Sequence, residues 1–280
     1  MKKFYLPFIA AAALLAAASC NKDAGQAEPV PSTDEIVLLV GDTFDPVVDT
    51  KTTAVSAVPS SLYWGASTGS AGSETSKWAS ASASVSSNKI STGKYQTATP
   101  TSYNYYVANQ SFTIGSSTTM TASSSTDVVC GRAASNSTTP SVTLNHIFAR
   151  TGSFTATATD GYSISSVSWQ IIGKSEINGT AGTYNLTTDT WTAASTKLSS
   201  YTAITSSSDM YLIPGTYTIK VSYTLSKGDW SASYTKTGDV TIVKGKVNNI
   251  SASFSGSATA IVLSVSLTDW GTQNHTPTFS

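Results

Sequence analysis

Charge is scarce in this chain. Of its 280 residues only 11% are Asp, Glu, Lys or Arg, and 16 basic residues are balanced by 16 acidic ones. Nucleic-acid binding needs a basic footprint that displaces phosphate counterions, so nucleic acid is excluded as a partner. Two histidines and two cysteines leave little material for a metal centre or for acid–base catalysis. No EF-hand or His-Glu-x-x-His pattern occurs, and no cofactor is expected. Good helix formers are also scarce, with Met present only three times, and no amphipathic helical stretch exceeds two turns.

Ser and Thr, by contrast, make up about a third of the chain, alongside 13 Tyr and 6 Trp. Thr, Tyr, Val and Trp fit a pleated, half-buried surface, so the composition reads as all-β. The aromatic and aliphatic content is enough to build a core, which excludes general disorder.

Lys2 and Lys3 precede an uncharged apolar stretch, Phe4 to Ala18, and the small residues Ala17, Ala18 and Ser19 lead straight into Cys20. Residues 1–19 read as a secretory signal peptide, too short in its apolar part for a membrane span. The cysteine directly after small residues resembles a bacterial lipobox. That resemblance implies acylation of the Cys20 thiol, which becomes the mature N-terminus and anchors the protein in the outer membrane. Loss of residues 1–19 leaves 14 basic against 16 acidic residues, a net charge of −2. With Cys20 acylated, Cys130 has no disulfide partner and reads as a small core residue.

Residues 20–32 are polar with two prolines and read as a tether. Ile36 to Val40 is an apolar run too short for a helix, expected as a fully buried strand. Further strands are expected at 61–67, 89–96, 102–109, 111–115 and 127–131, with the Ser/Ala/Gly-rich stretches between them as loops. Later the alternation is cleaner. Val142, Leu144, His146 and Phe148 share a face, as do Val167, Trp169 and Ile171. Tyr217, Ile219, Val221, Tyr223 and Leu225 give five successive inward positions, followed across a hairpin by Trp230, Ala232 and Tyr234. Such alternation with turn signals every 8–12 residues predicts antiparallel β-sandwiches. A composition break at Ser135–Pro140 divides them into an N-terminal unit, 33–139, and a C-terminal unit, 140–280.

Three segments, LNHIFARTG (144–152), YLIPGTYTIKVSY (211–223) and VTIVKGKVNNISASF (240–254) with AIVLSVSLTDW (260–270), stand in order behind the lipobox. Together they resemble the fimbrillin-like lipoproteins of Bacteroides-type bacteria. The resemblance implies two tandem transthyretin-like antiparallel β-sandwich domains and a structural or adhesive subunit of a surface pilus. It also implies export as a lipoprotein, trimming after a basic residue, and donor-strand exchange with other pilus subunits. Between Lys22 and Lys77 the one basic residue is Lys51, so a cut at Lys51–Thr52 would release the anchor, the tether and the strand Ile36–Val40 together. Beyond other subunits and the membrane, a host or bacterial surface ligand is a further partner class.

Two competing readings can be read from the residues. Trp64, Trp78 and Tyr103, Tyr105 and Tyr106 could form an aromatic platform for sugar rings, which would make the chain a stand-alone glycan-binding lipoprotein. Gly65-Ala66-Ser67-Thr68-Gly69 spells the Gly-x-Ser-x-Gly of a hydrolase elbow, but that motif requires a helix to follow and none is expected. His146 is expected as a core histidine bonded to a backbone carbonyl, and His275 lies in a polar tail. No catalytic residue is assigned.

Overall fold

Alternation of small hydroxyl residues with apolar ones marks many strands of the computed structural model. It describes residues 34–42, 55–96, 101–173, 180–193, 201–204, 210–255 and 262–269. Cys20, Lys51, Thr52 and His275 lie outside these residues. The strands of the first half are β1 (Glu35–Asp42), β2 (Ser61–Thr68), β3 (Thr75–Ser84), β4 (Lys89–Tyr95), β5 (Tyr103–Ala108), β6 (Thr119–Ser123) and β7 (Val129–Ser135). Then follow β8 (Ser141–His146), β9 (Ala149–Ala158), β10 (Ser163–Ile172), β11 (Thr180–Asn185), β12 (Thr190–Ala193), β13 (Thr202–Ile204) and β14 (Tyr211–Leu212). β15 (Gly215–Lys227), β16 (Trp230–Ile242), β17 (Lys246–Phe254) and β18 (Val262–Asp269) complete the set, and the described residues contain no helix. The chain is all-β.

A seven-stranded sheet runs β3-β2-β5-β7-β8-β1-β4. Its two edges meet again because β3 and β4 are joined by a tight turn at Ser87-Asn88, both in the left-handed region (φ 49° and 59°). The turn closes with the reciprocal Ser86–Lys89 backbone bonds of 3.0 and 2.9 Å, after which the two strands diverge into opposite edges. Two four-stranded sheets, β13-β10-β15-β16 and β14-β9-β17-β18, carry the second half, and a small sheet β12-β11-β6 joins the two halves. Pairing is mostly antiparallel, but β1–β8 and β9–β17 are parallel.

Three apolar cores result. Ile36, Leu38, Leu62, Trp64, Ile90, Tyr105, Val142 and Leu144 fill the first sheet's interior. Phe154, Trp169, Ile171, Val221, Tyr223 and Phe254 fill the second pair of sheets. A central core takes Tyr106, Phe112, Met120 and Cys130 from the first half and Phe148, Tyr184 and Tyr211 from the second. Period-two geometry explains the sharing: β5 sends Tyr103, Tyr105 and Val107 to the first core and Tyr106 and Ala108 to the central one, so all six of its residues are buried.

Several expectations need adjustment. The composition break at 135–140 does not coincide with a change of sheet, because β8 pairs with β1 and β7. β1 alternates: Ile36, Leu38 and Val40 are buried while Val37 and Leu39 are half-buried. The start of the Ser/Ala stretch 80–88, expected as a loop, belongs to the ten-residue edge strand β3, because pairing with β2 supplies the backbone bonds that its small side chains do not oppose. Segment 111–115 makes one isolated bridge, Thr113–Thr119, and forms no strand. Trp230, read as inward-facing, is 44% exposed at the start of β16, past the end of the core it was meant to enter.

Candidate functional site

The feature with the clearest mechanical consequence is the seat of β1. It lies inside the seven-stranded sheet, antiparallel to β4 and parallel to β8. Val37 and Leu39 donate backbone bonds to the Thr138 and Pro140 carbonyls at 2.8 and 2.9 Å, and Val40 donates to the Asn88 carbonyl at 2.8 Å. The Thr92 hydroxyl donates to the Ile36 carbonyl at 2.6 Å. At the strand's start the Glu35 carboxylate accepts from the Ser91 hydroxyl and from the Gly93 backbone N–H. Those two bonds, the Ser91 hydroxyl first, hold the Glu35 carboxyl below its ordinary pKa. Every in-facing side chain of β1 is essentially inaccessible: Ile36, Leu38 and Val40 are 0%, 0% and 2% exposed.

Where the chain re-enters the described structure it is pinned at once. The Val55 N–H donates to Asp127 Oδ2 at 2.8 Å, and His146 Nδ1 lies 3.0 Å from Oδ1 of the same carboxylate. His146 is thus a buried core histidine as expected, but its Nδ1 faces a carboxylate and not a backbone carbonyl. Asp127 stands 19 positions earlier in the chain, and only the β7–β8 pairing at Val129–His146 brings the two together.

The remaining sequence candidates turn out to be structural. Ser67 lies within β2 at 0% exposure, with strand on both sides of it. The glycines of its motif have their own reasons. A Cβ on Gly65 would lie 2.9 Å from Ile114 Cδ1 and 3.1 Å from the Trp78 carbonyl, and Gly69 takes φ +96° at the turn after the strand. This is no nucleophile elbow. Trp64, Tyr103, Tyr105 and Tyr106 are buried and Trp78 is half-buried, packed 5.1 Å from Tyr103, so the five rings are not exposed together as a sugar platform requires. Cys130 is buried, and desolvation pushes its thiol pKa up to about 12.

Sequence reading missed Glu74, a lone carboxylate in a Ser/Gly-rich stretch. It is buried and accepts from three hydroxyls: Tyr106, Thr118 at 3.0 Å and Thr187 at 2.8 Å. Thr187 belongs to the β11–β12 turn, so this carboxylate ties the second half to β5. Asn248 was also missed. At 0% exposure it donates to the Arg150, Val243 and Lys246 carbonyls and accepts from the Val243 N–H. No local pattern announces Glu74, whose partners are 32–113 positions away; Asn248 has local partners in Val243 and Lys246, but its bond to Arg150 spans 98 positions.

No family model and no curated protein matches the sequence. Solved structures do match. A fimbrial protein from Bacteroides vulgatus superposes with a TM-score of 0.53 at 13% identity, covering 84% of this chain and 99% of that one. The fold is that of Bacteroides fimbrial proteins. Two further structures with this fimbrillin-like fold are candidate cell adhesion proteins. The one from Parabacteroides distasonis has a TM-score of 0.52 at 10% identity, covering 85% and 97% of the two chains. The one from Bacteroides uniformis has a TM-score of 0.50 at 11% identity, covering 86% and 100%.

Proposed function

We propose that this chain is a subunit of a surface fimbria, exported to the outer membrane as a lipoprotein acylated at Cys20 and assembled by donor-strand exchange. The observation that carries the reading is the seat of β1. An N-terminal strand is built into the interior of a sheet, yet it joins the rest only through the segment 43–54, which contains Lys51. Cleavage at Lys51–Thr52 releases β1 with the anchor. Burial of one aliphatic side chain contributes about 1.5–3 kcal/mol, so losing Ile36, Leu38 and Val40 removes roughly 5–9 kcal/mol. That is comparable to the whole stability of a domain, about 5–15 kcal/mol. The cut subunit keeps an apolar groove flanked by the unpaired edges of β4 and β8, a template for a strand from another subunit. The donor is the C-terminal region, about 261–280, of a neighbour. Its described part, β18, sits at a sheet edge with β17 as its hydrogen-bonded partner, so one ladder is given up when it leaves.

The test is Lys51→Gln. The variant should stay on the membrane as an uncut monomer, while the parent yields surface polymers whose subunits begin at Thr52 by mass spectrometry. Surface protein that still begins at Cys20, or polymers formed by the uncut variant, would refute the proposal.

A further inference from the structure

Among the described residues β3 pairs with β2 alone and β4 with β1 alone, so each keeps one open edge. The two edges face one another across a cleft of about 470 Å³, lined by Ala81, Ser82 and Ala83 from β3 and by Ser91, Thr92 and Lys94 from β4. A single rung crosses it, the reciprocal Ser86–Lys89 pair at the turn.

Continuing that rung sets Val85 opposite Ile90, Ser84 opposite Ser91, Ala83 opposite Thr92 and Ser82 opposite Gly93. Opposed residues of an antiparallel pair share a face, and here the faces agree. Val85 and Ala83 are half-buried against the first core and Ile90 and Thr92 are buried, whereas Ser82, Ser84, Ser91 and Gly93 are exposed. Backbone direction agrees as well. Val40 donates to the Asn88 carbonyl and Leu38 stands opposite Ile90, so alternation turns the polar groups of Ile90 toward β1 and those of Ser91 away from it. Val85 donates to the Ser60 carbonyl on the β2 side, which turns the groups of Ser84 toward β4.

What holds the ladder open comes from β1. Its Glu35 carboxylate accepts from the Ser91 hydroxyl and, at 2.7 Å, from the Gly93 N–H. Val37 stands opposite Ser91 but Glu35 opposite Tyr95, so β4 bulges between them, with Gly93 at φ 60°. Glycine leaves that conformation without steric cost. The far end of the segment is tied separately, by the Gln96 amide donating to the Asn136 carbonyl at 2.8 Å.

We propose that β4 is a strap held open by β1: when β1 leaves, the bulge at Gly93 relaxes and β4 pairs with β3 from the turn as far as Gly93. The trigger rests on the release of β1 proposed above. Closure covers the outer edges of β3 and β4, which would otherwise be templates for stray strands, and leaves the β1-facing edge of β4 free for the donor.

Amide exchange of the full-length chain in detergent, resolved by NMR, tests this. Leu38→Asp puts a charge on the buried face of β1 and dislodges the strand without any cut. The Ile90 amide should then exchange at least tenfold faster than in the parent, while the Ser84 and Ser91 amides exchange at least tenfold more slowly. Glu35→Gln combined with Leu38→Ala loosens β1 without burying a charge and should move all three amides in the same directions, about threefold. Protection of Cys130 from iodoacetamide reports that the central core is intact; where Leu38→Asp loses it, the milder variant decides. Ser84 and Ser91 amides that stay fast while Ile90 is released would overturn the proposal. So would an Ile90 amide unchanged in both variants, or loss of Cys130 protection in both, since β4 would then not be a separate moving part. Neither variant needs a cut at Lys51, so a failed closure leaves strand exchange standing, and an uncut Lys51 leaves the closure standing.

Discussion

Cys130 shows how far a side chain's chemistry depends on its surroundings. In the sequence it reads as a small core residue two positions before an arginine. In the fold it faces the central core with Phe148 and Tyr184, and desolvation raises its pKa to about 12. The nucleophile is the thiolate, so at pH 8 the native thiol should react with iodoacetamide about a thousandfold more slowly than the unfolded one. Peptide mapping of the Cys130 peptide with and without denaturant measures this, and similar rates would place the thiol outside the core. The same residue-level dependence separates Ser67 from a nucleophile. Its flanking glycines were visible in the sequence, but the approach of Ile114 and Trp78 to Gly65 and the left-handed φ of Gly69 were not.

Among the elements, β15 was the most legible and is the most regular. Its five alternating residues from Tyr217 to Leu225 are all buried, and its 13 residues pair in continuous register with β16. Truncating Val221 or Tyr223 to Ala should cost about 2–5 kcal/mol each through lost contacts and a residual cavity. Thermal melts of the two variants measure the loss, and an unchanged midpoint would mean that the strand carries no core. β3 was illegible for the complementary reason. Ser and Ala give no hydrophobic period, and its strand state comes from the ladder that β2 offers. Trp230 shows a third case: its residue type suggested the core, but the hairpin carries it past the core's end, where it stacks edge-on at 5.8 Å against Tyr162.

At the scale of the whole molecule, the central core binds the two halves into one packing unit. Met120 and Tyr106 share it with Phe148, Tyr184 and Tyr211, while Glu74 adds hydroxyl bonds across the same junction. β8 carries the first sheet's own pairing beyond residue 140. A fragment ending at residue 139 should therefore fail to fold, because β1 and β7 both lose their common neighbour. Extending the fragment to residue 147 restores that ladder but still leaves the central core half-built. Circular dichroism and amide exchange of the two fragments test this, and a cooperatively folded 33–139 fragment would show that β8 is dispensable.

The sequence by itself determined the all-β class, the existence of β1, the inward faces of β8, β10 and β15, and the burial of Cys130 and His146. These follow from composition and from a period of two, which are local properties of the chain. It also carried the resemblance to fimbrillin-like proteins, which the shared fold supports. The tertiary structure alone decided that β8 joins the first sheet, that Asp127 meets His146, that Glu74 is held by three hydroxyls, and that the open edges of β3 and β4 face one cleft. Each of these depends on strand order, and strand order is set by which distant edges and faces bury the most together. A local pattern specifies that a face is apolar but not which sheet it will meet.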